Sequence, residues 1–224
     1  MTRRLDDAEL EASPVVANIA MNRERTLAAY RRGLGVDPLA EAARTRGATG
    51  RWLDLCCGTG RALVDAAGES ADVEITGVDL VGHFLPGVPP PNVRLVEASV
   101  TVWEPDAPAD LITCVHGLHY VGDKLGLLAR AASWLTGNGL LVADFDPRSV
   151  RLADGSPAGR PLTAALRRAG FAHDARRRRI ALRGRREITL PYRYLGADDR
   201  AGPNYTGQPA VDSYYSPEPG ADAR

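Results

Sequence analysis

The chain has 224 residues, of which 28 are basic and 28 acidic, so its formal net charge is zero. A neutral chain has no overall field that attracts it to nucleic acid or to a membrane surface. The length fits one domain with a large core, and three cysteines without a Cys-x-x-Cys spacing argue against a disulfide framework and against a cysteine metal site.

The beginning of the chain does not resemble a targeting segment. Residues 1–7 carry too many charges for a secretory signal, and no apolar run reaches the length of a membrane span. We expect a soluble cytoplasmic protein that does not enter a membrane. The sequence does not indicate an oligomeric state.

Residues 1–22 show no clear pattern, whereas residues 22–46 predict two helices. Helical spacing is visible over residues 22–30, and Asp37 followed by Pro38 predicts a helix that begins there and ends near Arg46.

From residue 50 onwards, short apolar runs alternate with amphipathic stretches, and this order predicts a doubly wound, mostly parallel sheet. Four prolines between residues 81 and 91 leave room for a very short helix at most. The predicted strands cover residues 51–55, 73–79, 93–98, 110–115 and 140–145, and the predicted helices cover residues 62–67, 124–135 and 162–168.

The last third of the chain changes character. Two alternating segments, 175–182 and 187–194, flank Arg183-Gly184-Arg185 and predict an antiparallel hairpin. From residue 196 the composition is polar and rich in glycine, proline and aspartate, which favours a disordered tail, although its tyrosines could instead fold over a substrate.

The loop after the first predicted strand, Cys56-Cys57-Gly58-Thr59-Gly60, lies where open α/β sheets bind ligands. Its glycines let the backbone turn sharply and let a ligand approach closely. Leu63 stands where a dinucleotide fingerprint needs a small residue, and the lack of a Gly-Lys-Ser/Thr sequence excludes a P-loop.

Three motifs follow one another along the chain. They are Leu53-Asp-Leu-Cys-Cys-Gly-Thr-Gly60, then Val78-Asp79 and then Glu97-Ala98. Over residues 50–195 this series resembles the class I S-adenosylmethionine-dependent methyltransferases, whose usual loop reads Leu-Asp-Leu-Gly-Cys-Gly-Thr-Gly. The resemblance implies a Rossmann-like sheet of seven mostly parallel strands that ends in an antiparallel hairpin. It also implies S-adenosylmethionine (SAM) as cofactor, a helical lid on the substrate side in residues 1–49, and a separate tail in residues 196–224.

The resemblance also assigns roles to single positions. Gly58 and Gly60 would lie against the ribose and methionine of the cofactor, Asp54 beside its amino group, and Asp79 against its ribose hydroxyls. Cys56 replaces the usual first glycine of the loop, which requires a negative φ there, and its side chain could touch the cofactor. Further cofactor contacts are expected from Leu80, from Glu97, Ala98 and Ser99 near the adenine, and from Cys114 and Val115 near the methionine, whereas Tyr30 either touches the cofactor or belongs to the core.

Methyl transfer requires alignment, and it requires a base only when the nucleophile must lose a proton. In this family the loop after the fourth strand faces the methyl group, and here it contains His119, the first candidate base, and His116, the second. The alternative role for both histidines is to hold this loop in its conformation. Asp144 and Asp146 lie where catechol-type enzymes hold part of a magnesium site, but His116 stands at the place of the acid that such a site needs, so no metal is expected.

We therefore predict a methyltransferase that acts on an oxygen or nitrogen nucleophile of a small molecule, in keeping with secondary metabolism. An RNA or protein methyltransferase stays open, supported only by the arginines at 176–179, 183, 185 and 186. Alternation on an edge hairpin would send these arginines to solvent, so nucleic acid is the less favoured partner. A SAM-binding cyclase, isomerase or non-catalytic subunit also stays open.

Overall fold

The structure is a computed structural model that describes residues 4–17, 25–44 and 49–218. The strands are β1 (Gly50–Leu55), β2 (Val73–Asp79), β3 (Val93–Glu97), β4 (Ala109–Cys114), β5 (Leu135–Asp144), β6 (Val150–Leu152), β7 (Ala172–Asp174), β8 (Arg179–Arg183), β9 (Tyr192–Asp198) and β10 (Asp212–Pro217). The α-helices are α1 (Asp7–Glu11), α2 (Leu27–Leu34), α3 (Pro38–Ala42), α4 (Arg61–Glu69), α5 (Lys124–Ser133) and α6 (Gly159–Arg168).

Seven strands form the main sheet, in the order β3-β2-β1-β4-β5-β8-β7. The first five run parallel, and β8 and β7 are antiparallel. Every residue of β4 is buried, as expected for a parallel strand that is covered on both faces. The predicted doubly wound sheet, which is mostly parallel and ends in an antiparallel hairpin, is confirmed.

The hairpin lies earlier in the chain than predicted. β7 and β8 pair across residues 175–178, whereas residues 185–190 leave the sheet. The end of the predicted second hairpin strand, residues 192–194, belongs to β9. The partner of β9 is β10, which begins fourteen residues after the end of β9. Spacing alone could not reveal that partner, so the pairing of residues 187–194 with residues 175–182 was a wrong prediction.

Residues 192–217 build a second sheet, so the expectation of a disordered tail is wrong for the part of the tail that the structure describes. β10 pairs with β9 antiparallel and with β6 parallel. Val211 and Tyr215 are fully buried, and they supply the apolar anchors that the polar composition concealed. β9 also crosses the boundary drawn at residue 195.

The two predicted N-terminal helices form where they were expected, but they begin or end at other residues. α2 ends at Leu34 and begins at Leu27, while residues 22–24 lie outside the described residues. Asp37 caps α3 as predicted, but that helix ends at Ala42. Across the described ranges, the structure contains no helix with the length and apolar character that spanning a membrane requires.

Candidate active site

A cavity opens at the carboxyl ends of β1, β2 and β4, where open α/β sheets bind their ligands. The loop after β1 and the residues after β2 contribute to its lining, and so do α1 and Arg25. The predicted site residues in its lining are Cys56, Gly58, Asp79, Leu80, Val115 and His116.

The loop after β1 turns in the left-handed region three times. Gly58 and Gly60 adopt φ values of 61° and 75°, which glycine tolerates without strain. Cys56 also has a positive φ, of 57°, so the expectation of a negative value there is wrong. The backbone here has the left-handed conformation that favours glycine. The β-carbon of Cys56 makes this conformation less favourable.

The Cys56 side chain forms part of the cavity wall and packs against Gly117 in the loop after β4. A β-carbon at position 117 would lie 2.4 Å from Cys56 Cβ, so only glycine fits there. A hydrogen bond with Cys114 and burial raise the pKa of the Cys56 thiol well above its ordinary value. Cys56 is therefore a neutral wall residue and not a nucleophile.

Asp79 lies at the end of β2 and is hydrogen-bonded to the glycine loop. Its Oδ2 accepts a hydrogen bond from the Gly58 amide at 2.8 Å, and its Oδ1 accepts one from the Val81 amide at 3.1 Å. The Asp79 carboxylate lines the cavity, and an ionised carboxylate is an acceptor for hydroxyl groups.

Asp54 and Tyr30 are buried and do not line the cavity. The Tyr30 hydroxyl donates to Asp54 Oδ2 at 2.7 Å, and the Thr113 hydroxyl donates to Asp54 Oδ1. The Trp52 indole donates to Thr113 Oγ1 at 2.8 Å and packs edge-to-face on Tyr30. Asp54 is 0% exposed, and burial raises its pKa to about 7.

Five other predicted cofactor residues also lie outside the cavity lining: Gly60, Glu97, Ala98, Ser99 and Cys114. Ser99 is linked to the cavity through α1, because its hydroxyl donates to Glu11 Oε1 at 2.5 Å and Glu11 lines the cavity. Thr101 donates to the same oxygen at 3.2 Å. These two hydrogen bonds connect the residues after β3 to α1.

His116 lines the cavity and is held from behind by Asp144. Its Nδ1 lies 3.6 Å from Asp144 Oδ2, and its backbone amide donates to the same oxygen at 3.0 Å. The backbone of His116 has a φ of 61°, a strained conformation that marks many functional positions. An imidazole beside a carboxylate is an arrangement suited to general base catalysis.

His119 is placed differently. Its ring is only 2% exposed, lies 5.3 Å from the Tyr205 ring, and lines a second cavity beneath residues 201–205. Burial, with a contribution from Lys124, lowers the pKa of His119 to about 3. The imidazole is therefore neutral and lies outside the first cavity, an arrangement that favours His116 over His119 as a base.

Three charged residues in the cavity wall escaped the sequence analysis: Asp7, Glu11 and Arg25. Asp6 and Glu9 form a capping box at α1, and that pattern was readable in the sequence as a helix start. No local pattern showed which face of the short helix would reach the site.

The two acids considered for magnesium have other partners. Asp144 holds His116, and Asp146 accepts from Arg148 at 2.7 Å. Among the described residues there is no group of three or more His, Cys, Asp or Glu side chains placed to hold a metal ion.

Comparison with solved structures finds several methyltransferases. Coclaurine N-methyltransferase bound to N-methylheliamine and S-adenosylhomocysteine (SAH) is 19% identical, with 52% of this chain and 34% of that chain covered and a TM-score of 0.40. SAM-bound CalS10, an amino pentose methyltransferase from Micromonospora echinaspora involved in calicheamicin biosynthesis, is 28% identical, with 52% and 54% covered and a TM-score of 0.36. The plantazolicin methyltransferase BpumL, in complex with a pentazolic desmethylPZN analog and SAH, is 15% identical, with 61% and 59% covered and a TM-score of 0.46.

The chain spans less than two thirds of the length of each of these three proteins. No curated protein matches the chain. A family model described as a methyltransferase domain matches residues 23–188, which is well over half of the sequence. With this match, the loop motif and the seven-stranded sheet, the chain belongs to the class I SAM-dependent methyltransferase family.

Proposed function

We propose that the protein transfers a methyl group from SAM to an oxygen or nitrogen nucleophile of a small molecule, with His116 as the general base. The observation that carries this proposal is the position of the His116 imidazole, which lines the cavity with Asp144 behind its Nδ1. A secondary metabolic role and a cytoplasmic location are part of the same proposal. Three free cysteines support a reducing compartment.

SAM is the cofactor of this family, and the residues of the cavity fit it. The Asp79 carboxylate suits ribose hydroxyls, and Gly58 lines the cavity without a side chain. Bound SAM supplies a methyl group on a sulfonium, an electrophile that needs no metal. The cavity wall needs only to align it with the acceptor and exclude water.

In this proposal His116 removes the proton that the acceptor loses. The Asp144 carboxylate lies 3.6 Å from Nδ1, so it acts on the ring electrostatically. The carboxylate also stabilises the imidazolium that forms. The strained backbone at residue 116 is kept because its amide donates to the same carboxylate.

The preference for a small acceptor is supported by the elements that line the cavity and by the ion pairs of the arginine-rich hairpin. Both α1 and the loop after β4 contribute residues to the cavity lining. Arg183 pairs with Glu41 at 3.0 Å, and Arg177 pairs with Asp174 at 3.1 Å. Paired arginines offer less free charge to RNA phosphates, which weakens the alternative of an RNA methyltransferase.

The test combines SAH calorimetry with an assay of SAH formation in the presence of small amines, phenols and carboxylic acids. With an accepted substrate, we expect His116→Ala to lower kcat about 10²–10⁴-fold while SAH affinity stays within about twofold of wild type. His119→Ala should change kcat much less. Equal losses in the two variants would contradict the assignment of His116, and methylation of RNA or protein alone would contradict the small-molecule acceptor. SAH binding without transfer to any class of acceptor would favour a non-methylating SAM-binding protein.

A further inference from the structure

A second cavity lies beside the loop after β4. His119 lines this cavity, whereas His116 lines the first one, and the centres of the two imidazole rings are 6.1 Å apart. The rest of its lining comes from residues 146–151 after β5 and from residues 201–212, which lead into β10. The centre of the Tyr205 ring lies 5.3 Å from that of His119 and 6.4 Å from that of His116. The second cavity is therefore a close neighbour of the candidate base.

His119 contributes a buried polar atom without a partner to this cavity. Its side chain is only 2% exposed, and its Nε2 has no hydrogen-bond partner in the part of the chain that the structure describes. Burial lowers the pKa of His119 to about 3, so the ring is neutral and has one donor and one acceptor nitrogen. Buried polar groups are nearly always hydrogen-bonded, so this imidazole indicates a ligand group that can donate or accept.

The charged side chains of the second cavity compensate one another. The Arg148 guanidinium donates to Asp146 Oδ2 at 2.7 Å, and Arg151 Nε donates to Asp212 Oδ2 at 2.7 Å. All four side chains line the cavity, and their charges sum to zero. An anionic ligand would have to compete with the two carboxylates and a cationic ligand with the two guanidinium groups. An uncharged ligand leaves both ion pairs intact.

Hydrogen-bonding capacity remains around these ion pairs. Across the described ranges, the Arg151 side chain donates only through Nε, so its two Nη groups are left for a ligand. Burial raises the pKa of Tyr205, which also lines the cavity, to about 12, so its hydroxyl stays protonated and can donate. The lining thus offers donors and acceptors without a net charge. This combination suits a ligand with several hydroxyl groups, because each hydroxyl both donates and accepts.

We propose that the second cavity binds an uncharged, polyhydroxylated part of the acceptor, such as a sugar ring, while a nucleophile of the same molecule reacts at His116. The assignment to the acceptor rests on the methyl transfer proposed above. Binding energy from a part of the substrate that does not react helps to hold the nucleophile in line with the methyl group. A simple phenol or amine has no further hydroxyl groups to place in this cavity, so we expect it to be a poorer acceptor than its glycoside.

NMR titration of the wild-type protein with neutral and charged sugars tests binding without methyl transfer. The neutral probes are the methyl glycosides of D-glucose, D-xylose and L-rhamnose, and the charged probes are methyl D-glucuronide and methyl D-glucosaminide. We expect one or more neutral glycosides to bind with a Kd of about 1–10 mM, as the usual affinity per atom predicts for so small a ligand. The charged sugars should bind about fivefold more weakly or worse, because each competes with an ion pair. The ring protons of His119 should shift with the bound glycoside, which locates it in the second cavity.

Variants of the lining test the contacts through the ligand signals. His119→Phe keeps a ring but removes both nitrogens, so it should weaken glycoside binding by about 10-fold. Arg151→Ala removes the Nη donors and should weaken binding by about 5- to 10-fold. Arg167→Ala, which removes an exposed arginine of α6, is the matched control and should bind as wild type does. With a methylated glycoside acceptor, His119→Phe should raise the acceptor KM about 10-fold and leave kcat within about threefold.

Several outcomes would overturn the inference. They are the absence of binding of every neutral glycoside up to about 50 mM, tighter binding of a charged sugar, and shifts of His116 without shifts of His119. If His119→Phe does not fold, Arg151→Ala and the wild-type order of the probes still decide. Glycoside binding without methyl transfer to any acceptor would defeat the proposed function and leave the second cavity as a sugar site. Methyl transfer by a protein that binds no glycoside would defeat this inference alone.

Discussion

At Cys56, a residue with a β-carbon occupies a left-handed turn that favours glycine. We predict that Cys56→Gly is more stable than Cys56→Ala by about 1 kcal/mol, because both variants lack the sulfur but only glycine relieves the strain. Urea denaturation of the two variants measures the difference in the free energy of unfolding. If Cys56→Ala were equal or more stable, the backbone at this position would not be strained.

Asp54 predicts an unusual pH dependence of stability. Burial raises the pKa of Asp54 to about 7 in the folded protein, above an unfolded value near 3.8. The folded chain therefore keeps this proton to higher pH, so the stability that the proton contributes is present below pH 3.8 and is lost as the pH rises through 7. We expect Asp54→Asn, which cannot ionise, to gain stability relative to wild type between pH 5 and pH 8 in urea denaturation. Parallel pH profiles of the two proteins would rule out a raised pKa.

The same residues show where sequence reasoning about the site succeeds and where it stops. Cys56, Gly58 and Asp79 line one cavity because the carboxyl ends of neighbouring parallel strands meet there, and their contacts with the cofactor stay a prediction. The burial of Asp54 depends on α2 packing over β1, and Arg25 has no motif of its own. Such roles depend on tertiary contacts, which the local spacing of residues in the sequence does not reveal.

At the scale of elements, the segment between β9 and β10, residues 199–211, covers the buried face of the loop after β4. Its Tyr205 ring packs on His119, and Arg178 lies 4.1 Å above the centre of the Tyr205 ring. We predict that Tyr205→Ala raises the pKa of His119 from about 3 toward its ordinary value near 6.5, because burial is the main cause of the depression.

Histidine proton resonances followed by NMR titration measure this shift. Tyr205→Phe keeps the ring and serves as the control, and it should leave the pKa of His119 unchanged. A His119 pKa that stays low in Tyr205→Ala would show that this segment does not bury the imidazole.

The elements differ in how far they could be predicted. β1 to β5 are apolar runs whose neighbours in the sheet are close in the chain or joined by helices, so pattern and order suffice. β9 and β10 pair across residues 199–211, whose glycines and prolines have the composition of a loop or of disorder alike. Buried residues such as Val211 and Tyr215 distinguish a sheet from a disordered tail, and burial is known from the packed structure alone.

At the scale of the whole molecule, the two sheets are joined at the start of α5. Lys124, the only lysine, is buried, and its Nζ donates to Val121 O at 3.0 Å, to Val211 O at 2.8 Å and to Ser213 Oγ at 2.6 Å. Tyr215 adds a second connection, since its hydroxyl donates to Asp123 at 3.0 Å. We expect the second sheet to unfold with the first in one cooperative transition.

The ionisation of Lys124 provides the test of this connection. Burial lowers the pKa of Lys124 to about 7 in the folded protein, below an unfolded value near 10.5. Between these values the unfolded chain binds the proton and the folded chain does not, so stability rises with pH over this window. We predict that the stability of wild type relative to Lys124→Met increases from pH 7 to pH 9.5 in urea denaturation. The buried thiols and tyrosines, which oppose this trend near their own unfolded pKa values, are common to both proteins and cancel in the difference. A difference that stays constant with pH would mean that Lys124 is charged where the two sheets meet.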